Sequence, residues 1–159
     1  MPAKKLKQFL DEAGVKYVSI FHSPAYSAQE IAESTHIPGQ FLAKTVVIKI
    51  DGKFVLAILP AAQRIDFEFL RETILAKHVE LASEQEFKDL FPDCELGAMP
   101  PFGNLFNLDV FAEESLAEDL EIAFSAGTHT ELIRMEYSDF ERLVKPTTIK
   151  FSTSKALWG

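Results

Sequence analysis

The stretch of sequence that decides the fold occupies residues 43–60 and reads AKTVVIKIDGKFVLAILP. Two apolar runs, 43–50 and 54–60, flank the dipeptide Asp51-Gly52. This dipeptide is typical of a type I′ turn, because both of its residues must adopt φ > 0 there. The stretch therefore predicts a tight antiparallel hairpin, so the sheet that contains it cannot be purely parallel.

Helical and strand patterns alternate along the rest of the chain, without linkers or repeats. Apolar spacing predicts helices over 6–13 (closed by Gly14), 27–34, 66–74, 83–91 and from Ser138 to the stop at Lys145-Pro146. Three of these helices begin with a capping-box pattern: Ser27 with Glu30, Ser83 with Glu86, and Ser138 with Glu141. Further strands are predicted over 17–22, 78–82, 108–112, 121–125 and 130–135. This order indicates a single α/β (α+β) domain over residues 1–159, built on a mixed sheet.

The composition is that of a soluble globular protein, and it argues against several classes of function. Of 159 residues, 47% are hydrophobic and 25% are charged. The formal net charge of −8 argues against binding polyanions through a diffuse basic field. The single cysteine, Cys94, excludes an intramolecular disulfide, and the four histidines are too scattered to predict a metal site. Without a membrane-length apolar run or a signal-peptide pattern, we expect a cytoplasmic protein that needs no cofactor.

A conformationally restricted apolar loop lies near residue 100. Residues 97–103 read GAMPPFG, and residues 127–131 read GTHTE. The two prolines have a fixed φ and no N–H, whereas the glycines permit φ > 0 and close approach of another group. Such a loop is stiff, and the amides that remain, those of 97–99 and 102–103, can point at a ligand.

One lysine breaks the pattern of its strand. Side chains alternate between the faces of a strand, so Lys44 shares a face with Val46 and Ile48. An ammonium group there is costly unless it is paired, opens into a cavity, or reaches solvent along its aliphatic stem. Glu131 shows the same anomaly on its own strand, and a Lys44–Glu131 ion pair is conceivable if the two strands are neighbours.

Other candidate residues carry weaker signals. His129 can donate to a substrate or bind its own backbone with equal plausibility on the sequence alone. Cys94 has no adjacent base, which argues against a nucleophilic role. Most of the fourteen phenylalanines are expected in the core, although Phe102 and Phe106 are candidates to line a pocket.

Lys44 at the start of a central strand, the loop of 97–103 and the Gly127-Thr128-His129 turn together resemble the YbaK/prolyl-tRNA-synthetase-associated domain family. The His22-Ser23-Pro24 stretch and the closing helix around 139–143 extend the resemblance over nearly the whole chain. Members of this family are freestanding or synthetase-inserted editing domains. They hydrolyse the ester of tRNAs that carry the wrong small amino acid.

The resemblance implies a mixed, partly closed β-barrel-like sheet surrounded by helices, with a small pocket between the lysine strand and the Gly/Pro loop. It implies that Lys44 is the catalytic residue. The substrate-binding residues that it implies are Gly97, Ala98, Met99, Pro100, Pro101, Phe102, Gly103, Gly127, Thr128 and His129. Family members commonly have Ser or Thr where this chain has Met99, which leaves the amino-acid specificity open.

An aminoacyl ester is already activated, so its hydrolysis needs a placed water and a stabilised tetrahedral oxyanion. Backbone N–H groups of glycine turns suit the second task, and a lysine can act as an electrostatic clamp. Because the chain has no conventional nucleophile set, we expect the neighbouring ribose hydroxyl of the substrate to assist the attack. The alternative is a non-catalytic module that binds a nucleic-acid end or a small ligand in the same pocket.

The expected partner is the acceptor end of an aminoacyl-tRNA, and the negative net charge limits how it is held. Either a local basic patch contributes, or only the acceptor end is gripped, or a synthetase or elongation factor recruits the substrate. The residues that could form such a patch are Lys4, Lys5, Lys7 and Lys16, or Lys145 and Lys150.

Overall fold

The computed structural model describes residues 2–24 and 41–154. Its helices are α1 (Pro2–Ala13), α2 (Phe67–Ile74), α3 (Glu84–Phe87) and α4 (Tyr137–Val144), and 3₁₀ turns occupy Gly103–Leu105 and Glu114–Glu118. Its strands are β1 (Tyr17–Phe21), β2 (Ala43–Ile50), β3 (Lys53–Pro60), β4 (Gln63–Ile65), β5 (Val79–Leu81), β6 (Asp109–Glu113), β7 (Glu121–Ser125), β8 (Glu131–Glu136), β9 (Thr147–Ile149) and β10 (Ser152–Ser154).

The strands of the described residues form three sheets. The largest has the order β5-β2-β3-β6-β9, in which β2–β3 is antiparallel while β3–β6 and β6–β9 are parallel. A second sheet has the order β1-β8-β7, and β10 pairs with β4. A parallel bridge between Leu42 and Ala123 links the first two sheets without closing them. The mixed α+β class is therefore confirmed.

The hairpin predicted from residues 43–60 is present. Asp51 and Gly52 both have positive φ, 48° and 85°, as a type I′ turn requires. β2 and β3 pair in register from Ala43↔Pro60 to Ile50↔Lys53. This two-residue turn sets the register of the central sheet, and so it sets which side of the sheet each β2 residue faces.

The two faces of the hairpin pack into different cores. Val47 belongs to the larger core, which includes Phe102 and Phe124, whereas Ile48 belongs to a second core beneath α2. Leu42 belongs to a third cluster with Ala123, Leu132 and Ala61. β2 is therefore covered on both sides, which is why its sequence reads as a nearly continuous apolar run.

Two expected helix boundaries were wrong. α3 ends at Phe87 rather than at 91: residues 88–90 continue as turns, in which the amide of Leu90 donates to the carbonyl of Phe87. α4 begins at Tyr137 with extended Glu136 as its N-cap and no side-chain capping bond, so Ser138 lies inside the helix. β8 runs directly into α4, which leaves no loop in which Ser138 could act as a cap.

Three short strands, β4, β9 and β10, were missed because three residues are too few to show a periodic pattern. The Ser83–Glu86 capping box and the Asp66 cap of α2 are confirmed. The helix predicted over 27–34 lies outside the described residues.

Candidate functional site

Two glycine turns from distant parts of the sequence meet in the structure. Gly97 and Gly127 both have positive φ, 87° and 101°, which a side chain rarely tolerates. The amide of Gly127 donates to the carbonyl of Ala98 at 2.8 Å, and the amide of Glu95 donates to the carbonyl of Gly127 at 2.8 Å. The Gly/Pro loop and the Gly-Thr-His turn are thus joined backbone to backbone.

His129 adds a second connection between the same two turns. Its backbone amide donates to Oε1 of Glu95 at 2.6 Å, and its Nε2 lies 2.9 Å from the carbonyl oxygen of Leu96. Because a carbonyl can only accept, Nε2 must carry the proton. A Cβ added to Gly97 would lie 3.5 Å from Cε1 of the ring, so the imidazole packs against that glycine. The carbonyl that binds the ring belongs to the opposite loop and not to His129's own turn.

The middle of the Gly/Pro loop is buried. Ala98 is fully buried and Met99 is 3% exposed, and Pro100 and Pro101 are also buried. The amide of Gly97 lies 3.3 Å from Sδ of Met99, so the thioether folds back onto the start of its own loop. Met99 therefore takes part in the conformation of the loop and does not project from it.

The end of the loop is anchored by packing. The ring of Phe102 is fully buried against Phe9, Phe124 and Phe140, with centroid distances of 6.0, 5.6 and 5.7 Å. A Cβ on Gly103 would lie 2.3 Å from the carbonyl oxygen of Leu108, so only glycine fits there. The described contacts of these two residues are those of packing residues that hold the loop.

Lys44 lies beside the strand that leads into the second turn. The bridge between Leu42 and Ala123 is parallel, and both of these side chains are buried in one cluster. Alternation therefore puts Lys44 and Ser125 on that same face, two residues beyond the bridge on adjacent strands. Lys44 is half-buried, and β7 continues from Ser125 to Gly127. The topology thus places Lys44 on the same face as Ser125, with which β7 ends two positions before Gly127. Met99 and Phe102 of the Gly/Pro loop, by contrast, pack in the core of Val47, on the other face of β2.

The described contacts of Glu131 place its carboxylate against α1. Nζ of Lys7 lies 2.6 Å from Oε2 of Glu131, as an ion pair without the angles of a directed hydrogen bond. β7 separates β8 from the bridge to β2, so the condition for a Lys44–Glu131 pair, neighbouring strands, is not met.

Several backbone amides of the two turns are already engaged. The amide of Ala98 donates to the carbonyl of Glu95 at 3.0 Å, and the amides of Gly127 and His129 donate across the turns. Within residues 2–24 and 41–154, the amides of Met99 and Thr128 have no hydrogen-bond acceptor. These two are candidate donors to a ligand, as are the amides of Phe102 and Gly103, which likewise have no acceptor among the described residues.

The remaining candidates have structural surroundings that limit their roles. Burial raises the pKa of the Cys94 thiol to about 11, so little thiolate forms near neutral pH. Lys5 donates to the carbonyl of Leu105 at 2.9 Å and lies over the ring of Phe106. With Lys7 bound to Glu131, two of the four N-terminal lysines make internal contacts. Phe106 and Cys94 both line a small cleft of about 130 Å³ beside Pro100.

Across the described ranges, no three His, Cys, Asp or Glu side chains are grouped so as to hold a metal ion. The same residues include no helix that is both long enough and apolar enough to cross a membrane.

Sequence reasoning missed two residues of this region, Glu95 and Ser125. Glu95 is an exposed carboxylate two positions before a glycine, which is indistinguishable in sequence from a solvated surface residue. Ser125 is the last residue of a predicted strand, and its proximity to Lys44 depends on how two separate strands pair. Neither residue carries a local signal.

Comparison with known proteins identifies the family. Residues 22–143 match the aminoacyl-tRNA editing domain, which is more than half of the chain. The protein therefore belongs to the aminoacyl-tRNA editing domain family. This finding confirms the resemblance on which the expected site rests.

Relatives in sequence are proline–tRNA ligases. Those of Bacillus mycoides and Bacillus cytotoxicus are 25% and 27% identical to this chain over 107 residues. The match covers 67% of the chain but only 19% of either ligase, so the matched segment corresponds to about a fifth of their length.

Solved structures share the fold over almost the whole chain. A candidate trans-editing enzyme for prolyl tRNA synthetase superposes with a TM-score of 0.81 at 19% identity, covering 96% of this chain and 98% of that one. A hypothetical protein superposes with a TM-score of 0.84 at 16% identity, covering 94% and 99% of the two chains.

Proposed function

We propose that this protein is a trans-editing aminoacyl-tRNA deacylase that removes a wrong small amino acid from tRNA. The observation that carries the proposal is the junction of the two glycine turns in a chain of the editing family, with Lys44 on the strand bridged to the one that leads into the second turn. The assignment of editing in trans, by a protein separate from the synthetase, is supported by the structural similarity to a candidate trans-editing enzyme. The proline–tRNA ligase relatives suggest that the tRNA is one that a prolyl-tRNA synthetase mischarges.

In the proposed reaction, water attacks the carbonyl carbon of the aminoacyl ester and the bond to the ribose 3′ oxygen breaks. The products are the free amino acid and the deacylated tRNA. The amides of Met99 and Thr128 stabilise the oxyanion of the tetrahedral intermediate, since the neighbouring amides are engaged elsewhere. Lys44 supplies positive charge to the carbonyl or to the terminal phosphate.

In the part of the chain that the structure describes, Cys94 and His129 are the residues to consider as a nucleophile or base, and neither is suited to this step. Cys94 has a raised pKa, and His129 uses its protonated Nε2 on the carbonyl of Leu96. We therefore assign the orientation of the water to the 2′ hydroxyl of the substrate's terminal ribose. A substrate without that hydroxyl should be hydrolysed far more slowly, and an unchanged rate would remove this step.

The decisive experiment is a deacylation assay on a panel of tRNAs charged with alanine, cysteine, serine, threonine or proline. We expect hydrolysis of at least one mischarged tRNA, and none of correctly charged prolyl-tRNA. Binding without turnover of any substrate in the panel would instead identify a non-catalytic module.

A further inference from the structure

We propose that Glu95 is a positioning residue, which holds the Gly-Thr-His turn against the Gly/Pro loop so that their amides face the substrate together. The proposal rests on the deacylase function proposed above. It assigns a role to a side chain that neither the sequence pattern nor the family resemblance singles out.

Glu95 takes part in the contact between the turns through its backbone and its side chain. Its amide donates to the carbonyl of Gly127 at 2.8 Å, and its Oε1 accepts the amide of His129 at 2.6 Å. Its own carbonyl accepts the amide of Ala98 at 3.0 Å, and Ala98 in turn accepts from Gly127. One residue therefore contacts both sides of the junction.

The position of two of the candidate donors depends on this arrangement. Met99 follows Ala98 directly, and Thr128 lies between Gly127 and His129. Ala98, Gly127 and His129 all bind across the junction, so a shift between the turns moves the Met99 and Thr128 amides relative to each other. An oxyanion hole tolerates little such movement, because its donors must lie within hydrogen-bond distance of one developing charge.

Glu95 is suited to positioning because it contributes little to the core. Its side chain is exposed, as is that of the neighbouring Leu96, and its described side-chain contact is the amide of His129. Removing the carboxylate should therefore loosen the junction without unfolding the protein. A charged acceptor also binds an amide more strongly than a neutral one does, which suits a contact in an exposed place.

The test compares Glu95→Ala with Glu95→Gln, because glutamine keeps the Oε1 acceptor and removes the charge. We expect Glu95→Ala to lower kcat by about 10- to 100-fold with a smaller change in KM. Glu95→Gln should recover kcat to within about threefold of the wild type. Glu72→Ala, which removes an exposed carboxylate on α2, is the matched control and should leave kcat unchanged.

If Glu95→Gln is as slow as Glu95→Ala while its Gly127 amide exchanges as slowly as in the wild type, the carboxylate acts through its charge on the substrate, and the positioning role is wrong. Equal kcat values for Glu95→Ala and the wild type would also overturn it.

Amide hydrogen exchange tests the proposal independently of catalysis. In Glu95→Ala the Gly127 amide, which donates to Ala98, should exchange several-fold faster than in the wild type or in Glu95→Gln. Unchanged exchange at Gly127 would refute the role of Glu95, even in an active enzyme. If the wild type hydrolyses no tRNA in the panel, the deacylase proposal fails, and the positioning role for that reaction fails with it. Faster exchange at Gly127 would then show only that Glu95 holds the turns together.

Discussion

Glycines with the same backbone geometry have different surroundings in two regions of this molecule. Gly52 has a φ of 85° at the exposed tip of the hairpin, where an added Cβ would meet nothing within 4 Å. Gly97 has a φ of 87° but lies against the ring of His129, and buried Gly127 is bonded to a segment some thirty residues earlier. The first glycine only reverses the chain. The other two join separate segments of the chain. The comparison shows that a glycine turn becomes part of a candidate site when it contacts a distant segment, and not because of its backbone geometry alone.

The largest effect on activity is expected from a comparison of two lysines of β2, Lys44 and Lys49. Lys49 binds Glu86 and Glu80 on the opposite face from Lys44. We expect Lys44→Ala to lower kcat/KM for the mischarged substrate by about 10²–10³-fold, because it removes the positive charge assigned to the transition state. Lys49→Ala should keep wild-type activity.

Steady-state deacylation of both variants, with circular dichroism to confirm folding, checks this prediction. A Lys44→Ala protein that is folded and fully active would contradict the assigned site.

The second comparison sets Gly127→Ala against Gly52→Ala. Both substitutions force a side chain into positive φ, at a cost of about 1–2 kcal/mol in the free energy of unfolding. Only Gly127→Ala should also lower kcat, by about 10-fold or more, because it disturbs the junction with the Gly/Pro loop. Urea denaturation measures the stability of each variant and the deacylation rate measures its activity. Equal activities at similar loss of stability would show that the junction does not matter for the reaction.

The third prediction concerns selectivity. Met99→Ser removes the thioether that lies 3.3 Å from the Gly97 amide and leaves room beside the loop. We expect the ratio of kcat/KM values between two aminoacyl groups of different size to change by about 10-fold. Competition between two mischarged tRNAs measures this ratio directly, with Met135→Leu in the β8 core as the control. If every substrate slows by the same factor, Met99 does not contribute to selection.

The smallest expected effect belongs to the hairpin region. The hydrogen bond from Lys49, together with those from Ser83, lowers the pKa of Glu86 from 4.5 to about 2. A carboxyl group with a lowered pKa in the folded state stabilises the fold above its unfolded pKa and loses this contribution as the pH falls through the folded value. Glu86→Gln should therefore lower the Tm slightly at pH 7, with the difference fading between about pH 4.5 and pH 2. Both partners are near the surface, so high salt should shrink the difference as well.

A Tm difference between wild type and Glu86→Gln that stays constant from pH 7 to pH 2 would show that the ion pair does not contribute. Deacylation by Glu86→Gln should match the wild type, because the described polar contacts of Glu86 and Lys49 are with each other, Glu80 and Ser83, and not with the two glycine turns.

Local chemistry accounts for the elements that were predicted correctly. Asp51-Gly52 specifies its turn by itself, and Ser83 with Glu86 specifies a helix start, since the interacting groups are within three residues of each other. The prediction that Ser138 caps the last helix was wrong because β8 leads directly into α4, and this continuity is a property of the folded chain. The short strands β4, β9 and β10 were not predicted because pairing with a distant partner creates them.

The features of the candidate site also divide into those that the sequence predicted and those that only the structure revealed. The sequence by itself determined the stiff Gly/Pro loop and the unusual place of Lys44 on its strand, because each depends on residue types at short spacing. The editing family followed from the resemblance of nearly the whole chain to a known family. Only the tertiary structure decided that Gly127 binds Ala98, that Glu95 receives the His129 amide and that Glu131 faces Lys7. These contacts join segments tens of residues apart, and strand pairing and packing, which no local pattern encodes, determine which segments meet.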